Sequence, residues 1–241
     1  MEFFVTHQTA EHYSGDCAVA FVFKDKAHQN KDLQQLLELN RFDAIVGATL
    51  IFSQVSGYKT KRLLVVGLGD SSPNEKNYIK VLHSLSSALS EAKVKNVVIP
   101  DIQIDNRDES WVQSTTARVL KNASYQVEKV DAQEKNEKGN LEAISIYSAN
   151  NDATEINKGL AIANGMALTR RLGDLPSNIC TPSYLAETAK SLAKSYKLDC
   201  EVLEESNMEA LGMNSLLSVS KGSSEPGKFC LLYTSPSPRD S

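Results

Sequence analysis

The feature that most constrains the fold is a continuous apolar run at residues 62–68, RLLVVGL, which leads into Gly67-Leu68-Gly69. Branched aliphatic residues without polar alternation are typical of a strand that is buried on both faces of a sheet. Such strands occur mainly where helices cover both faces, so this run predicts a central strand in an α/β sheet. The segment Ser72-Pro73-Asn74-Glu75 then predicts a helix with Ser72 as its N-cap and Pro73 in its first turn.

The rest of the first 150 residues alternates between strand-like and helix-like segments. Residues 31–39 look helical, and apolar residues spaced three and four apart predict a second helix over residues 109–123, with Trp111 in the core. A polar stretch at residues 131–140 predicts a surface loop. This alternation predicts an α/β domain whose strands are at least partly parallel. Runs of β-branched and aromatic residues predict its other strands at residues 2–6, 17–23, 96–99 and 143–147.

Beyond residue 150 the pattern predicts a long helix followed by a second α/β segment. Asp152 supplies a cap for a helix over residues 151–172, which we interpret as a connector between two domains. Another helix begins at Thr181-Pro182, with proline in its first turn. Apolar runs predict strands at residues 199–203 and 216–220. The apolar stripe expected on the second helix comprises Leu185, Ala189, Leu192 and Tyr196.

Charge and hydropathy exclude several classes of protein. The net charge of -4 and the pI of about 5.7 provide no overall basic field to attract nucleic acid. Residues 1–8 lack the basic and apolar regions of a secretory signal, and no apolar stretch reaches the roughly 20 residues that span a bilayer. We therefore expect a cytoplasmic protein with no membrane segment.

The cysteines and histidines form no recognisable metal motif. Cys17, Cys180, Cys200 and Cys230 are too widely spaced for a disulfide framework or a zinc-thiolate site, so we expect reduced and mostly buried thiols. The four histidines do not occur as HxxxH or HExxH pairs. Cys180 precedes a predicted helix, but no histidine neighbours it and no GxSxG motif is present, which favours a structural thiol over a nucleophile.

The most distinctive part of the sequence lies between residues 171 and 229. Arg171-Leu172 is followed by Pro176-Ser177-Asn178 and then by Thr181-Pro182-Ser183-Tyr184-Leu185-Ala186. LGMNSLLSV at residues 211–219 and KGSSEP at residues 221–226 continue the series. In order and spacing these motifs resemble the entry into the catalytic domain of the leucyl aminopeptidase family. The earlier residues resemble that family more weakly, through the strand that ends at Gly67-Leu68-Gly69 and through the connector helix.

This resemblance implies a fold and an activity. Residues 1–150 would form a macro-domain-like N-terminal domain with a mixed sheet flanked by helices, residues 151–172 the connector, and residues 173–229 the start of an incomplete α/β peptidase domain. The family's enzymes are homohexamers that remove N-terminal residues from peptides with two adjacent divalent metal ions, Mn or Zn. Peptides and further copies of the chain are thus the partners that the resemblance implies.

No catalytic, cofactor-binding or metal-binding residue is assigned in this chain. The family's metal ligands are a lysine, several aspartates and a glutamate that lie downstream of the matched segment, and two adjacent metal ions require such a carboxylate cluster. We expect the scattered acids of residues 171–229 to be solvated, and we expect this chain to bind no metal and to be inactive. Those acids are Asp174, Glu187, Asp199, Glu201, Glu204, Glu205, Glu209 and Glu225.

Residues 230–241, CLLYTSPSPRDS, depart from the family pattern where another buried strand is expected to continue. They resemble the translation of a sequencing adapter, which predicts a non-native tail. The alternative is a disordered tail rich in proline and serine.

Two binding functions stand as alternatives. A strand ending in Gly67-Leu68-Gly69 suggests a dinucleotide site, but position 72 is serine where the third glycine would be, so we predict a plain turn. A macro-like domain could still hold a nucleotide or ADP-ribose. The resemblance also leaves DNA binding open, although Arg170-Arg171 and the lysines of residues 24–31 offer sparse positive charge for phosphate contacts.

Overall fold

The apolar run that starts at Arg62 forms an interior strand of a six-stranded sheet. The structure is a computed structural model that describes residues 1–70, 72–127 and 141–233. The chain folds into two units, Met1–Leu168 and Thr169–Ser241. The loop predicted at residues 131–140 and most of the predicted tail lie outside the described residues.

The first unit contains strands and helices in alternation, as the sequence predicts. Its last helix, α4, continues into the second unit. In chain order the elements are β1 (Glu2–Thr6), β2 (Cys17–Val22), α1 (Lys31–Leu39), β3 (Thr49–Ser53), β4 (Arg62–Gly67), α2 (Glu75–Glu91), β5 (Asn96–Ile99), α3 (Glu109–Ala123), β6 (Ala143–Tyr147) and α4 (Thr154–Asp174).

The sheet is mixed, with the strand order β1-β6-β5-β2-β4-β3. All neighbouring strands are parallel except β3, which pairs antiparallel with β4. Strand β4 therefore lies one position from the edge and not at the centre, which corrects the prediction. The edge strand β3 was not predicted, because its short TLIFS sequence is only half-buried and lies between loops without a strong strand pattern.

Helices cover both faces of the sheet, and β4 supplies side chains to both. Leu64 and Val66 lie in the core cluster that contains the α2 side chains, whereas Leu63 and Val65 lie in the cluster that contains Leu33 of α1. All four β4 residues are at most 1% exposed. Burial on alternate faces explains why this strand carries no polar position. Trp111 is half-buried beside this core, with its ring 6.1 Å from that of Tyr78.

Helix α2 has its N-cap two residues later than the predicted N-cap, Ser72. Its N-cap is Asn74, whose side-chain oxygen accepts a hydrogen bond of 3.0 Å from the backbone N–H of Asn77. Asparagine caps a helix as well as serine does. Pro73 is buried in the preceding loop, where its carbonyl accepts from the N–H of Asp105. Glu75 forms an ion pair with Arg107 instead of closing a capping box.

The second unit carries a two-stranded antiparallel sheet and short helices. Thr181 caps the first of these helices by accepting a 3.2 Å hydrogen bond from the N–H of Tyr184. The strands pair Cys200 with Leu232 and Val202 with Cys230. The elements are α5 (Pro182–Tyr196), β7 (Asp199–Leu203), α6 (Glu205–Ala210), α7 (Asn214–Ser220) and β8 (Phe229–Tyr233).

Two predictions for this unit are wrong. Residues 216–220 form the end of helix α7, because their backbone hydrogen bonds are local and a short apolar run does not distinguish a strand from a helix. The buried stripe of α5 consists of Ala186, Ala189 and Ala193, while the predicted Tyr196 is 68% exposed. Cys230–Tyr233, the first residues of the predicted non-native tail, are part of β8, and the non-native origin of that tail stays a prediction.

Candidate functional site

The Gly67-Leu68-Gly69 segment is a turn at the end of β4 that packs closely against the loop of residues 44–48. A Cβ atom on Gly67 would lie 2.4 Å from the carbonyl oxygen of Ile45, and Gly69 has a φ of +85°, so both positions favour glycine. The N–H of Gly69 donates to Ala44 and that of Gly67 donates to Ala48, each at 2.8 Å. These backbone donors hold a neighbouring loop. They are therefore not available for the pyrophosphate of a dinucleotide.

The acids of the second unit are dispersed over its surface or take part in local contacts. Glu187 pairs with Lys190 at 2.8 Å, and Glu204 pairs with Lys228. Glu205 departs from the expectation of a solvated side chain, because its carboxylate accepts from the N–H of Gly227 at 3.0 Å and from the Ser220 hydroxyl at 3.4 Å. That carboxylate ties the segment before β8 to α6, which is a structural role.

No group of three or more histidine, cysteine, aspartate or glutamate side chains within the described ranges is placed to hold a metal ion. A two-metal peptidase centre needs several carboxylates around both ions. The described side chains therefore do not provide the donor set that the family resemblance implies.

The cysteines occupy two kinds of environment. Cys17 is fully buried in β2, and burial raises the pKa of its thiol to about 12. Cys180, Cys200 and Cys230 are only half-buried, so the expectation of mostly buried thiols is wrong for these three. The second unit contains no histidine in its sequence that could serve Cys180 as a base.

A cleft of about 380 Å³ opens at the carboxyl ends of the parallel strands of the first unit. Thr9 and Glu11 come from the segment after β1, Phe21 comes from β2, and Asp101 follows β5. His28 and Tyr58 close the cleft from the loops that follow β2 and β3. This edge is where open α/β sheets bind their ligands, so the cleft is the candidate functional site.

The polar groups of the cleft are close enough to influence one another. His28 accepts a 3.0 Å hydrogen bond at Nδ1 from the backbone N–H of Asn30, and burial lowers the pKa of His28 despite the opposing charge of Glu11. Burial, reinforced by the charge of Glu11, raises the pKa of Tyr58 to about 12. At neutral pH the cleft thus presents a neutral imidazole and a neutral phenol beside a carboxylate.

A second surface feature lies at the opposite, amino-terminal edge of the same sheet. Lys61, Lys93 and Lys95 surround a groove of about 530 Å³, although Arg62 in the same groove is paired with Asp16. Burial opposes the ionised form of Asp16, but hydrogen bonds from Arg62 and from the N–H of Lys95 outweigh it and lower the pKa of Asp16. Sequence reasoning missed this lysine cluster because its members come from two segments that are far apart in the sequence.

The lysines and arginines that sequence reasoning considered for DNA contacts lie elsewhere. Lys24 lies 3.7 Å from Asp43, and the Lys26 ammonium lies 4.4 Å from the centre of the Phe23 ring. Arg170 and Arg171 are exposed near the end of α4.

The mixed sheet with helices on both faces and a cleft at its carboxyl edge defines the first unit as an α/β domain. Both units match one family: the N-terminal domain model of the cytosol aminopeptidase family matches residues 18–133, and its catalytic domain model matches residues 167–241. The chain belongs to the cytosol aminopeptidase family.

Curated relatives support this assignment. A probable cytosol aminopeptidase from Vesicomyosocius okutanii is 47% identical over 232 residues, which cover 96% of this chain and 48% of that protein. Another from Azoarcus sp. is 38% identical over 218 residues, which cover 87% of this chain and 43% of that protein. The chain spans about half the length of the curated relatives that it matches.

Solved structures show the same fold. A mutant of tomato leucine aminopeptidase aligns with a TM-score of 0.73 and 22% identity, covering 95% of this chain and 50% of the tomato chain. The bottromycin maturation enzyme BotP aligns with a TM-score of 0.76 and 19% identity, covering 90% of this chain and 46% of its own. BotP has also been solved in complex with Mn.

Proposed function

We propose that the protein to which this chain contributes is a metallo-aminopeptidase that removes N-terminal residues from peptides. The observation that carries this proposal is the match of both units to the two domains of one aminopeptidase family. The family assignment supports peptides as the substrate class. A solved relative in complex with Mn supports divalent metal ions as the cofactor.

The 241-residue chain by itself is proposed to lack this activity. About half of each curated relative's length has no counterpart in the chain. The described acids are also dispersed or hold local structure, so the carboxylate cluster that would grip two metal ions is missing among them. The role proposed for this chain is therefore to provide the N-terminal domain and the first elements of the catalytic domain.

The test compares two proteins made from the same genomic locus. The 241-residue chain and the product of the complete reading frame are each incubated with leucine p-nitroanilide and Mn²⁺ or Zn²⁺. We expect release of p-nitroaniline from the longer product and none above the blank from the 241-residue chain. Metal-dependent release by the shorter chain would overturn the proposed inactivity, whereas an inactive longer product would overturn the proposed peptidase function.

The alternative of a nucleotide or ADP-ribose module is supported by the position of the cleft at the carboxyl edge of the sheet. Its chemistry favours a different ligand, because Glu11 and Asp101 line it and no lysine or arginine does so among the described residues. A diphosphate would meet two carboxylates without a compensating cation. We therefore place this alternative second.

The family resemblance also supports a homohexameric assembly in the cytoplasm, which we propose for the whole protein. No helix within the described part of the chain is long and apolar enough to cross a membrane. Sedimentation analysis of the complete product measures its oligomeric state directly, and a monomer at micromolar concentration would refute the hexamer.

A further inference from the structure

The cleft lies where the chain changes direction across the sheet. From β2 the chain continues to β3 and then β4 on one side, and from β5 it continues to β6 on the other, although β2 and β5 are neighbours. Connections that leave in opposite directions leave a crevice between the two strands at their carboxyl ends. Phe21 of β2 and Asp101 after β5 line this crevice from its two sides.

The pairing of the two strands stops early and widens that crevice. Strand β5 pairs with β2 only at Cys17–Val97 and Ala18–Val98, whereas β2 pairs with β4 along its whole length to Val22. In continued register Ala20 would face Pro100, which has no N–H to donate to a ladder. The edge of β2 from Val19 to Phe21 consequently lines the cleft instead of pairing with β5.

The charges in the cleft select the class of ligand. Glu11 and Asp101 line the same cleft, and neither carboxylate has a lysine or arginine partner among the described ion pairs. One Asp101 oxygen accepts a 2.8 Å hydrogen bond from the N–H of Ile102, so the other oxygen can accept from a ligand. The rings of Phe21 and Tyr58 provide apolar surface beside these carboxylates.

We propose that this cleft binds a small organic cation, an ammonium or amidinium group on an aromatic or apolar body. The cationic group lies between Glu11 and Asp101, and the body packs against Phe21 and Tyr58. This binding is independent of the proposed peptidase function, because the cleft lies wholly in the first unit and needs no metal ion.

A matched series of probes tests the charge selection. Phenethylamine, 2-phenylethanol and 3-phenylpropionate share a phenyl ring and differ in the charge of the terminal group. Each is titrated to about 10 mM, which covers the weak affinities expected of fragments, into the ¹⁵N-labelled 241-residue chain. We expect phenethylamine to shift the resonances of Phe21 and Tyr58 and to bind about tenfold more tightly than the alcohol, with no shift from the carboxylate.

Variants of Glu11 and Asp101 then test whether these two carboxylates cause the preference for a cationic ligand. Glu11→Gln and Asp101→Asn keep size and the hydrogen-bond acceptor, and each is expected to lower the affinity for phenethylamine about three- to tenfold. Glu91→Gln is the matched control, because Glu91 is exposed on α2 and does not line the cleft. The dispersion of each variant's spectrum reports whether it is folded.

Three outcomes would overturn the proposal. The first is equal binding of the amine and the alcohol, or no binding of the amine at about 10 mM. The second is tighter binding of ADP-ribose, which would establish a phosphate site instead. The third is unchanged amine binding in the folded Glu11→Gln and Asp101→Asn variants.

Discussion

The hydroxyl of Tyr78 lies 2.6 Å from the side-chain oxygen of Thr116, inside the core between α2 and α3. Thr116 donates its own proton to the carbonyl of Val112 at 2.6 Å, so Tyr78 is the donor in the contact between the hydroxyls. Tyr78 is completely buried, and burial raises the pKa of its phenol. This hydrogen bond therefore satisfies a polar group that water does not reach.

We expect Thr116→Val to destabilise the first unit more than Tyr78→Phe does. Valine leaves the buried phenol without an acceptor, at about 2 kcal/mol, whereas phenylalanine leaves Thr116 bonded to Val112 and costs about 1 kcal/mol. The double variant should lose less stability than the sum of the losses in the two single variants. Urea unfolding followed by Trp111 fluorescence, the only tryptophan signal, measures these differences. Thr49→Val, at an exposed position of the edge strand β3, is the control. Equal effects of the two single variants would contradict the orientation of the hydrogen bond.

We expect substitution by alanine to have opposite effects on stability at two glycines of helix α4. A Cβ atom on Gly159 would lie 2.1 Å from the carbonyl oxygen of Ser114, whereas Gly165 has no atom within 4 Å of that position. Gly159→Ala should therefore push α4 away from α3 and destabilise the unit by about 1–3 kcal/mol, the usual range for overpacked sites. Gly165→Ala should stabilise it by up to about 1 kcal/mol through helix propensity. Thermal unfolding of both variants measures this, and a loss of stability in both would refute the packing argument.

We expect the first unit to lose stability in acid as Asp16 becomes protonated. Its pKa is lowered in the folded chain, so its contribution is complete above its ordinary value of 3.8 and is lost as the pH falls through the folded value. Asp16→Asn should cost about 2 kcal/mol at pH 7, because it removes charge-assisted hydrogen bonds to Arg62. The difference in unfolding free energy between Asp16→Asn and the parent chain should narrow towards pH 3. Urea unfolding midpoints at several pH values measure this difference. Asp25→Asn, at an exposed position, serves as control, and a difference that persists in acid would exclude this ion pair as its cause.

The thiols should separate into two classes on labelling. Cys17 is fully buried with a pKa of about 12, and the other three cysteines are half-buried. At pH 8 we expect an aromatic disulfide reagent to modify those three in the native chain and Cys17 only after unfolding. Cys17→Ala should leave the native count unchanged and lower the denatured count by one. Rapid modification of Cys17 in the native chain would contradict its placement in β2.

Limited proteolysis should remove the second unit first. Its sheet has two strands, and two-stranded sheets have little stability of their own. Among its described residues, the few buried apolar side chains are Ala186, Ala189, Ala193, Met208 and Leu217. Mass spectrometry of the digest is expected to show trimming towards the end of α4 while Trp111 fluorescence stays unchanged. Equal survival of both units would contradict this difference.

The sequence predicted those elements whose signal is local. The apolar run of β4 and the periodic stripe of α3 follow from nearby residues, because burial on two faces or on one helical face leaves a regular pattern. The motifs from Arg171 to Pro226 likewise resemble the aminopeptidase family without any knowledge of the fold. Residues 216–220 were misassigned, since in a short apolar run the local signal is the same for a strand and a helix.

Only the tertiary structure determined which distant segments meet. The order of the strands brings Glu11 and Asp101 to one cleft, although they lie far apart in the sequence. The pairing of β2 with β5 ends at Ala18 and Val98, which opens that cleft. Neither result could be predicted from the sequence, because pairing between strands depends on contacts across the whole unit, whereas periodicity records only which face of each element is buried.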